Sequence, residues 1–170
     1  IGQGEILATP LQIANLAATI ANRGYYYSPH VIKAIQDTLI PDTFNIQHRT
    51  MIDSENYEWI VKGMRSAATG GTVFRSGNLD PEGIALCGKT GTAQNPHGKD
   101  HSVFMGFAPM DEPKIAVCCY IQNGGFGATF GVPIGTLVIE KYLNGKISER
   151  RKYQEINMLN SSTLSAGAMK

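Results

Sequence analysis

The sequence predicts an α+β domain, an antiparallel sheet with helices on its faces. Three observations carry this. A capped amphipathic stretch lies at residues 10–23, and three apolar runs follow at 84–93, 102–108 and 114–122. The last two runs are joined by Met110-Asp111-Glu112-Pro113, a connection tight enough for a hairpin. The order helix, strand, helix, three strands, helix does not suit an alternating parallel βαβ array.

Each element has its own signal. Thr9-Pro10-Leu11-Gln12 supplies a capping hydroxyl, a proline at the first helical position and a glutamine that completes a capping box. Leu11, Ile13, Leu16, Ala17 and Ile20 follow at mostly helical spacing, and Gly24 stands where a left-handed residue ends a helix. Residues 25–37 read as extended, and 38–53, with Pro41, as a loop or short hairpin. A second helix starts at Asp53 or Ser54, with Tyr57, Ile60, Val61, Met64, Ala67 and Ala68 on one face, and Thr69-Gly70-Gly71 ends it. Residues 70–83 read as loop. A glycine-rich stretch at 124–131 leads into a helix over 132–143, with Ile134, Leu137, Val138 and Tyr142 inward. Residues 145–170 show no core pattern and read as a loosely held tail.

Composition narrows the function classes. With 15 basic and 14 acidic residues the net charge is +1, so the basic stripe that nucleic-acid binding needs is missing. The longest apolar run, 115–121, is far too short to span a bilayer. Three cysteines, two of them adjacent, form neither a disulfide framework nor a zinc spacing. The chain starts at Ile1 with no Met or signal-like segment, and reads as a piece excised from something longer.

One window carries most of the chemistry. Gly83, Gly88, Lys89 and Thr90 match the phosphate-binding pattern G-x-x-x-x-G-K-[ST]. That loop needs inward-turned amides followed at once by a helix. Here the intervening residues are Ile84, Ala85, Leu86 and Cys87, which prefer an extended path, and Gly91 through Pro96 open no helix. Nucleotide binding is therefore the remote reading. The same window reads better as Lys89-Thr90-Gly91-Thr92 near the end of a buried strand, the K-T-G signature of penicillin-binding proteins and serine β-lactamases. On a strand Thr90 and Thr92 share one face and Lys89 takes the other. Two hydroxyls suit a substrate carboxylate, with an ammonium nearby to raise the potential. Gly91 leaves room for a close backbone, and the Thr92 amide is a donor for a developing oxyanion. The plain alternative is a polar strand end.

The flanking segments add to this in order. Gly2-Gln3-Gly4, Thr9-Pro10-Leu11-Gln12-Ile13-Ala14, Ala21-Asn22-Arg23-Gly24, the Lys89 window through Gln94, and Phe104-Met105-Gly106-Phe107-Ala108-Pro109 together resemble class B penicillin-binding proteins. They are most similar to the elongation-type penicillin-binding protein 2, over the C-terminal half of its transpeptidase domain. The resemblance spans residues 1–144, leaves 145–170 as the tail, and implies part of a β-lactamase/transpeptidase-like fold. It implies a serine-type D,D-transpeptidase that cross-links peptidoglycan stem peptides through an acyl-serine and is acylated by β-lactams, with no cofactor and no metal.

By the same resemblance Lys89 supports the network around the nucleophile, and Thr90 and Thr92 hold the donor or antibiotic carboxylate. The Thr92 amide forms half of the oxyanion hole, and the strand edge through Gly91, Ala93 and Gln94 pairs with extended substrate. The parent is implied to sit on the periplasmic face of the inner membrane, held by an N-terminal helix outside this chain, and to work with a SEDS-type glycosyltransferase. The nucleophile should lie in S-x-x-K, with S-x-N after it. No serine in the sequence has a lysine three residues on. Ser54-Glu55-Asn56 and Ser76-Gly77-Asn78 spell S-x-N on the wrong side of the Gly2-Gln3-Gly4 start, and read as coincidences, with Ser54 a helix cap. The chain alone should be inert, with bare apolar surface that favours self-association. A module that binds peptidoglycan or β-lactam without turnover is the second reading.

The remaining candidates have plain readings. His97 and His101 are four apart, but Pro96 and Gly98 forbid the helix that would aim both at a metal; a rim position or simple solvent exposure fits them. Cys87 reads as a small buried hydrophobe, and Cys118 and Cys119 as reduced residues on opposite strand faces. The stretch 124–131 is either a flexible cleft loop or a plain connection.

Overall fold

The computed structural model describes residues 3–163 apart from 33, 36, 37 and 40. In chain order its elements are α1 (Pro10–Ala21), β1 (Tyr25–Tyr26), β2 (Ala34–Ile35), β3 (Thr38–Leu39), β4 (His48–Arg49), α2 (Ser54–Thr69), α3 (Phe74–Gly77), β5 (Cys87–Ala93), β6 (His101–Ala108), β7 (Ile115–Ile121), α4 (Gly131–Asn144) and α5 (Glu149–Asn160). Strands β5, β6 and β7 form an antiparallel sheet in that order. Two small antiparallel pairs, β1 with β4 and β2 with β3, lie between α1 and α2 in the chain.

The start of α1 follows from its sequence. The Thr9 hydroxyl accepts from the Gln12 amide at 3.3 Å, and Gln12 Oε1 accepts from the Thr9 amide at 2.8 Å. Its end differs from expectation, because the left-handed turn is made by Arg23 (φ 55°) before Gly24 (φ 105°). Arg23 is held there by its side chain, which donates to Glu58 Oε1 at 2.8 Å and to the carbonyls of Ala21 and Met110 at 2.7 and 3.3 Å. One guanidinium thus ties the end of α1 to α2 and to the β6–β7 turn. Gly24 must lack a side chain, since a Cβ there would stand 2.9 Å from the Tyr57 ring.

The sheet is sandwiched. Alternation along the strands puts Cys87, Met105, Phe107 and Ala116 on the face covered by α1 and α2, where they meet Ile20, Ala21, Tyr57, Val61 and Met64. The opposite face presents Phe104, Ala108, Val117 and Cys119 to Val132 and Ile139 of α4 and to Leu79, Ile84 and Leu86. Phe104 is fully buried at the centre, ringed by glycines. A Cβ on Gly88, Gly106, Gly135 or Gly131 would approach it to 2.6, 2.7, 2.5 or 3.1 Å. Close-packed interiors do not absorb such overlaps without moving backbone.

Several sequence expectations need correction. The helix cap at α2 is Asp53, and Ser54 is the first helical residue. Ile60, Val138 and Tyr142, expected inward, are 42%, 50% and 63% exposed, because the helices bury narrower stripes than the sequence spacing suggests. Segment 70–83 contains α3 and a 3₁₀ turn at Asp80–Glu82, and of 25–37 only β1 and β2 are paired within the described residues.

The largest correction concerns the C-terminus, where residues 149–160 form α5, a docked helix. Polar bonds hold it. Buried Arg151 donates to Glu140 Oε2 at 3.0 Å and to the Thr136 hydroxyl at 2.6 Å, and Arg150 Nε donates to Glu82 Oε1 at 2.8 Å. The Arg150 guanidinium, aided by the Ser148 hydroxyl, holds the Glu82 carboxyl below its ordinary pKa against the opposing effect of burial. A depressed folded-state pKa gives stability that is present above the unfolded value, about 4.3, and is lost as pH falls through the folded one. We therefore expect stability to fall with acid below about pH 4.3, and Glu82→Gln to flatten that slope in denaturant melts taken between about pH 5 and 3.

Candidate active site

Strand β5 lies at the margin of its sheet, with β6 on one side and no strand on the other among the described residues. An edge strand keeps a row of backbone donors and acceptors free to pair with an extended ligand. The register is continuous from Cys87↔Phe107 to Ala93↔His101, so the strand has no bulge to re-aim its side chains. Lys89, Gly91 and Ala93 share the α1/α2 face, and Thr90 and Thr92 share the α4 face. The division of lysine and threonines read from the sequence therefore holds for this strand.

The hydroxyls differ in their surroundings. Thr90 Oγ1 donates to Thr72 Oγ1 at 2.9 Å, a contact made across the Gly70–Val73 link between α2 and α3. Among the described residues the Thr92 hydroxyl has no partner. Lys89 is exposed and its Nζ donates to the Thr90 carbonyl at 2.6 Å, so the ammonium folds back on its own strand. Gln94 follows the strand as an exposed residue. The lysine and both threonines lie within one stretch of four residues, with the ammonium available to the α1/α2 side.

The stretch 124–131 is a held connection. Gly125 N donates to Asp100 O at 2.7 Å, and Ser102 Oγ donates to Phe126 O at 2.8 Å while accepting from Gly131 N at 2.9 Å. Gly127 rests on β5, where a Cβ would be 2.7 Å from the Gly91 carbonyl and 3.0 Å from Thr90 Cβ. Thr72 and Gly127 thus close on Thr90 from two sides. The sequence showed neither, because both sit in glycine-rich links with no periodicity to mark them.

A groove of about 570 Å³ runs between the end of β5 and the segment leading into α1. Ile6, Leu7, Ile13, Thr92, Val103 and Tyr120 line it, which makes it mostly apolar. Ile6 and Leu7 are over 90% exposed, so that wall is open to solvent.

The other candidates resolve plainly. Gly83 ends a 3₁₀ turn with φ 73°, and Thr90 lies inside β5, so no helix opens after the lysine and the phosphate-loop reading fails. Ser76 Oγ donates to Ala128 O at 3.0 Å, and Ser54 begins α2. His101 Nδ1 accepts from the Asn123 amide at 3.0 Å, and His97 is exposed; no cluster of three metal-ligating groups occurs among the described residues. Burial pushes the Cys87 and Cys119 thiols up to about 11, leaving them protonated and unreactive at neutral pH.

An antiparallel sheet packed between helices on both faces, with an open edge strand, is the architecture of the β-lactamase/transpeptidase fold. The chain belongs to the penicillin binding protein transpeptidase domain family, whose family model matches residues 1–140. It is 30% identical to peptidoglycan D,D-transpeptidase MrdA of Haemophilus influenzae over 176 residues, which cover 90% of this chain and 26% of that protein. The crystal structure of Pseudomonas aeruginosa PBP2 in complex with WCK 5153 superposes with a TM-score of 0.74 and 31% identity, covering 89% of this chain and 34% of that one. The imipenem acyl-enzyme of penicillin-binding protein A from M. tuberculosis superposes with a TM-score of 0.67 and 30% identity, covering 84% and 32%. The chain thus spans about a quarter to a third of the length of these relatives.

Proposed function

We propose that this chain supplies the substrate-binding wall of a peptidoglycan D,D-transpeptidase, in a parent protein that brings the nucleophilic serine and its lysine. The observation that carries this is the edge strand β5, with Lys89 on one face, Thr90 and Thr92 on the other and a free backbone row beside them. In the reaction a serine Oγ attacks the penultimate D-Ala carbonyl of a stem peptide and gives up its proton to the base. The peptide bond breaks, terminal D-Ala leaves with a proton on its nitrogen, and an acyl-serine remains. An amine of a neighbouring strand then attacks that ester, and the serine regains its proton. Thr90 and Thr92 hold the donor carboxylate, the Thr92 amide meets the oxyanion, and Lys89 adds positive potential. The strand through Gly91, Ala93 and Gln94 lines up the peptide. β-Lactams enter as donor mimics.

The whole protein would act at the periplasmic face of the inner membrane beside a SEDS-type glycosyltransferase, a setting that rests on family resemblance. The test is covalent labelling with a fluorescent penicillin. The parent is expected to take up one label per chain, and the 170-residue chain none, since it has no S-x-x-K serine. A parent that binds penicillin reversibly without a covalent label would make this a non-catalytic binder.

A further inference from the structure

We propose that the C-terminal helix α5 positions the Thr90 hydroxyl, with Gln154 as the positioning residue. This rests on the functional reading above. Gln154 sits at the junction of two bonding sets. Its Oε1 accepts from Arg151 Nε and Nη2 at 3.1 and 2.7 Å, and Arg151 is itself fixed by Glu140 and Thr136 of α4. With its oxygen held there, the amide must aim its nitrogen the other way. That nitrogen donates to the Ser76 carbonyl at 2.7 Å.

Ser76 passes the restraint on in two directions. Its hydroxyl donates to the Ala128 carbonyl, next to Gly127, which rests on Thr90 and Gly91. Its backbone belongs to α3, reached from α2 through the link that carries Thr72, the partner of the Thr90 hydroxyl. Arg150 reinforces the hold by donating to the Asn78 carbonyl at 3.0 Å. The two segments that frame Thr90 are therefore pinned from one helix, and that helix lies beyond the residues matched by the family model. With the Thr90 oxygen held in one rotamer, only its proton has to turn from Thr72 to an arriving carboxylate, whereas a free side chain must be ordered as a whole at the moment of binding.

The test uses Gln154→Glu in the protein that contains the whole transpeptidase domain. The carboxylate still accepts from Arg151, so α5 stays docked, but it cannot donate to Ser76. We expect amide exchange to quicken in peptides covering 70–78 and 126–131, and acylation by benzylpenicillin to slow about fivefold to tenfold, the worth of one positioning hydrogen bond. In a Thr90→Val background the same change should slow acylation no further, since the group it positions is gone. Unchanged exchange in both peptides, or a penalty that multiplies with Thr90→Val, overturns the proposal. A wild-type protein that takes up no penicillin overturns the functional reading instead, and the exchange measurement then decides the role of Gln154 by itself.

Discussion

Lys89→Ala in the parent protein is expected to cut the rate of acylation by penicillin by about 10²–10³-fold, the order of loss when a preorganised positive charge beside the reacting group is removed. The fold should be untouched, because Lys89 is exposed and its one bond runs to the neighbouring carbonyl. A thermal midpoint within about a degree of wild type would separate lost chemistry from lost structure. Lys89→Arg should restore little, since a planar guanidinium on a longer stem does not replace a compact point charge. An alanine variant that acylates at the wild-type rate would remove Lys89 from the mechanism and leave the strand as a docking edge only.

Arg151→Ala should destabilise the domain by about 3–5 kcal/mol, far more than any other ion pair here, because it strands the Glu140 carboxylate in the interior. Both members of the pair are nearly inaccessible, with side-chain exposures of 4% and 0%. The Arg65–Asp80 pair is partly open to water and should contribute below about 1 kcal/mol, and the Lys152–Glu155 pair lies at the surface. Replacing both partners, as Arg151→Met with Glu140→Met, should recover most of the loss, since no charge is left unpaired. Urea unfolding of Arg151→Ala and of the double variant measures this directly. A double variant no more stable than Arg151→Ala would mean that the bonds to Thr136 and Gln154 matter more than the charge.

Much of this architecture was legible in the sequence because it rests on patterns that act locally. Thr9, Pro10 and Gln12 specify the start of α1 within four residues. Alternating burial along β6, with Ser102, Phe104, Gly106 and Ala108 inward, is what a strand covered on its α4 face must show. Lys89-Thr90-Gly91-Thr92 is a short motif whose meaning depends on lying on a strand, and it does. The parts that were not legible depend on distant partners. Helix α5 leaves Tyr153, Ile156 and Leu159 exposed and docks through Arg150, Arg151 and Gln154, so an apolar stripe was the wrong sign to seek. Thr72 meets Thr90 across 18 residues of chain, and nothing near either residue announces it. Ile60 and Val138 had the right spacing for burial, yet about half of each side chain stays open to solvent.

The glycines around Phe104 have a consequence for how this sequence can change over time. Gly88 and Gly135 belong to separate elements, yet each is barred from gaining a methyl group by the same ring, which also crowds Gly106 beside the Cys87 carbonyl. None of the three can drift while that ring remains. Shrink it first, as in Phe104→Ala, and Gly135→Ala turns from a clash into a partial filling of the space vacated. The order of the substitutions then decides whether a lineage passes through a folded intermediate, and Gly88 and Gly135, far apart in the chain, evolve as one site with Phe104.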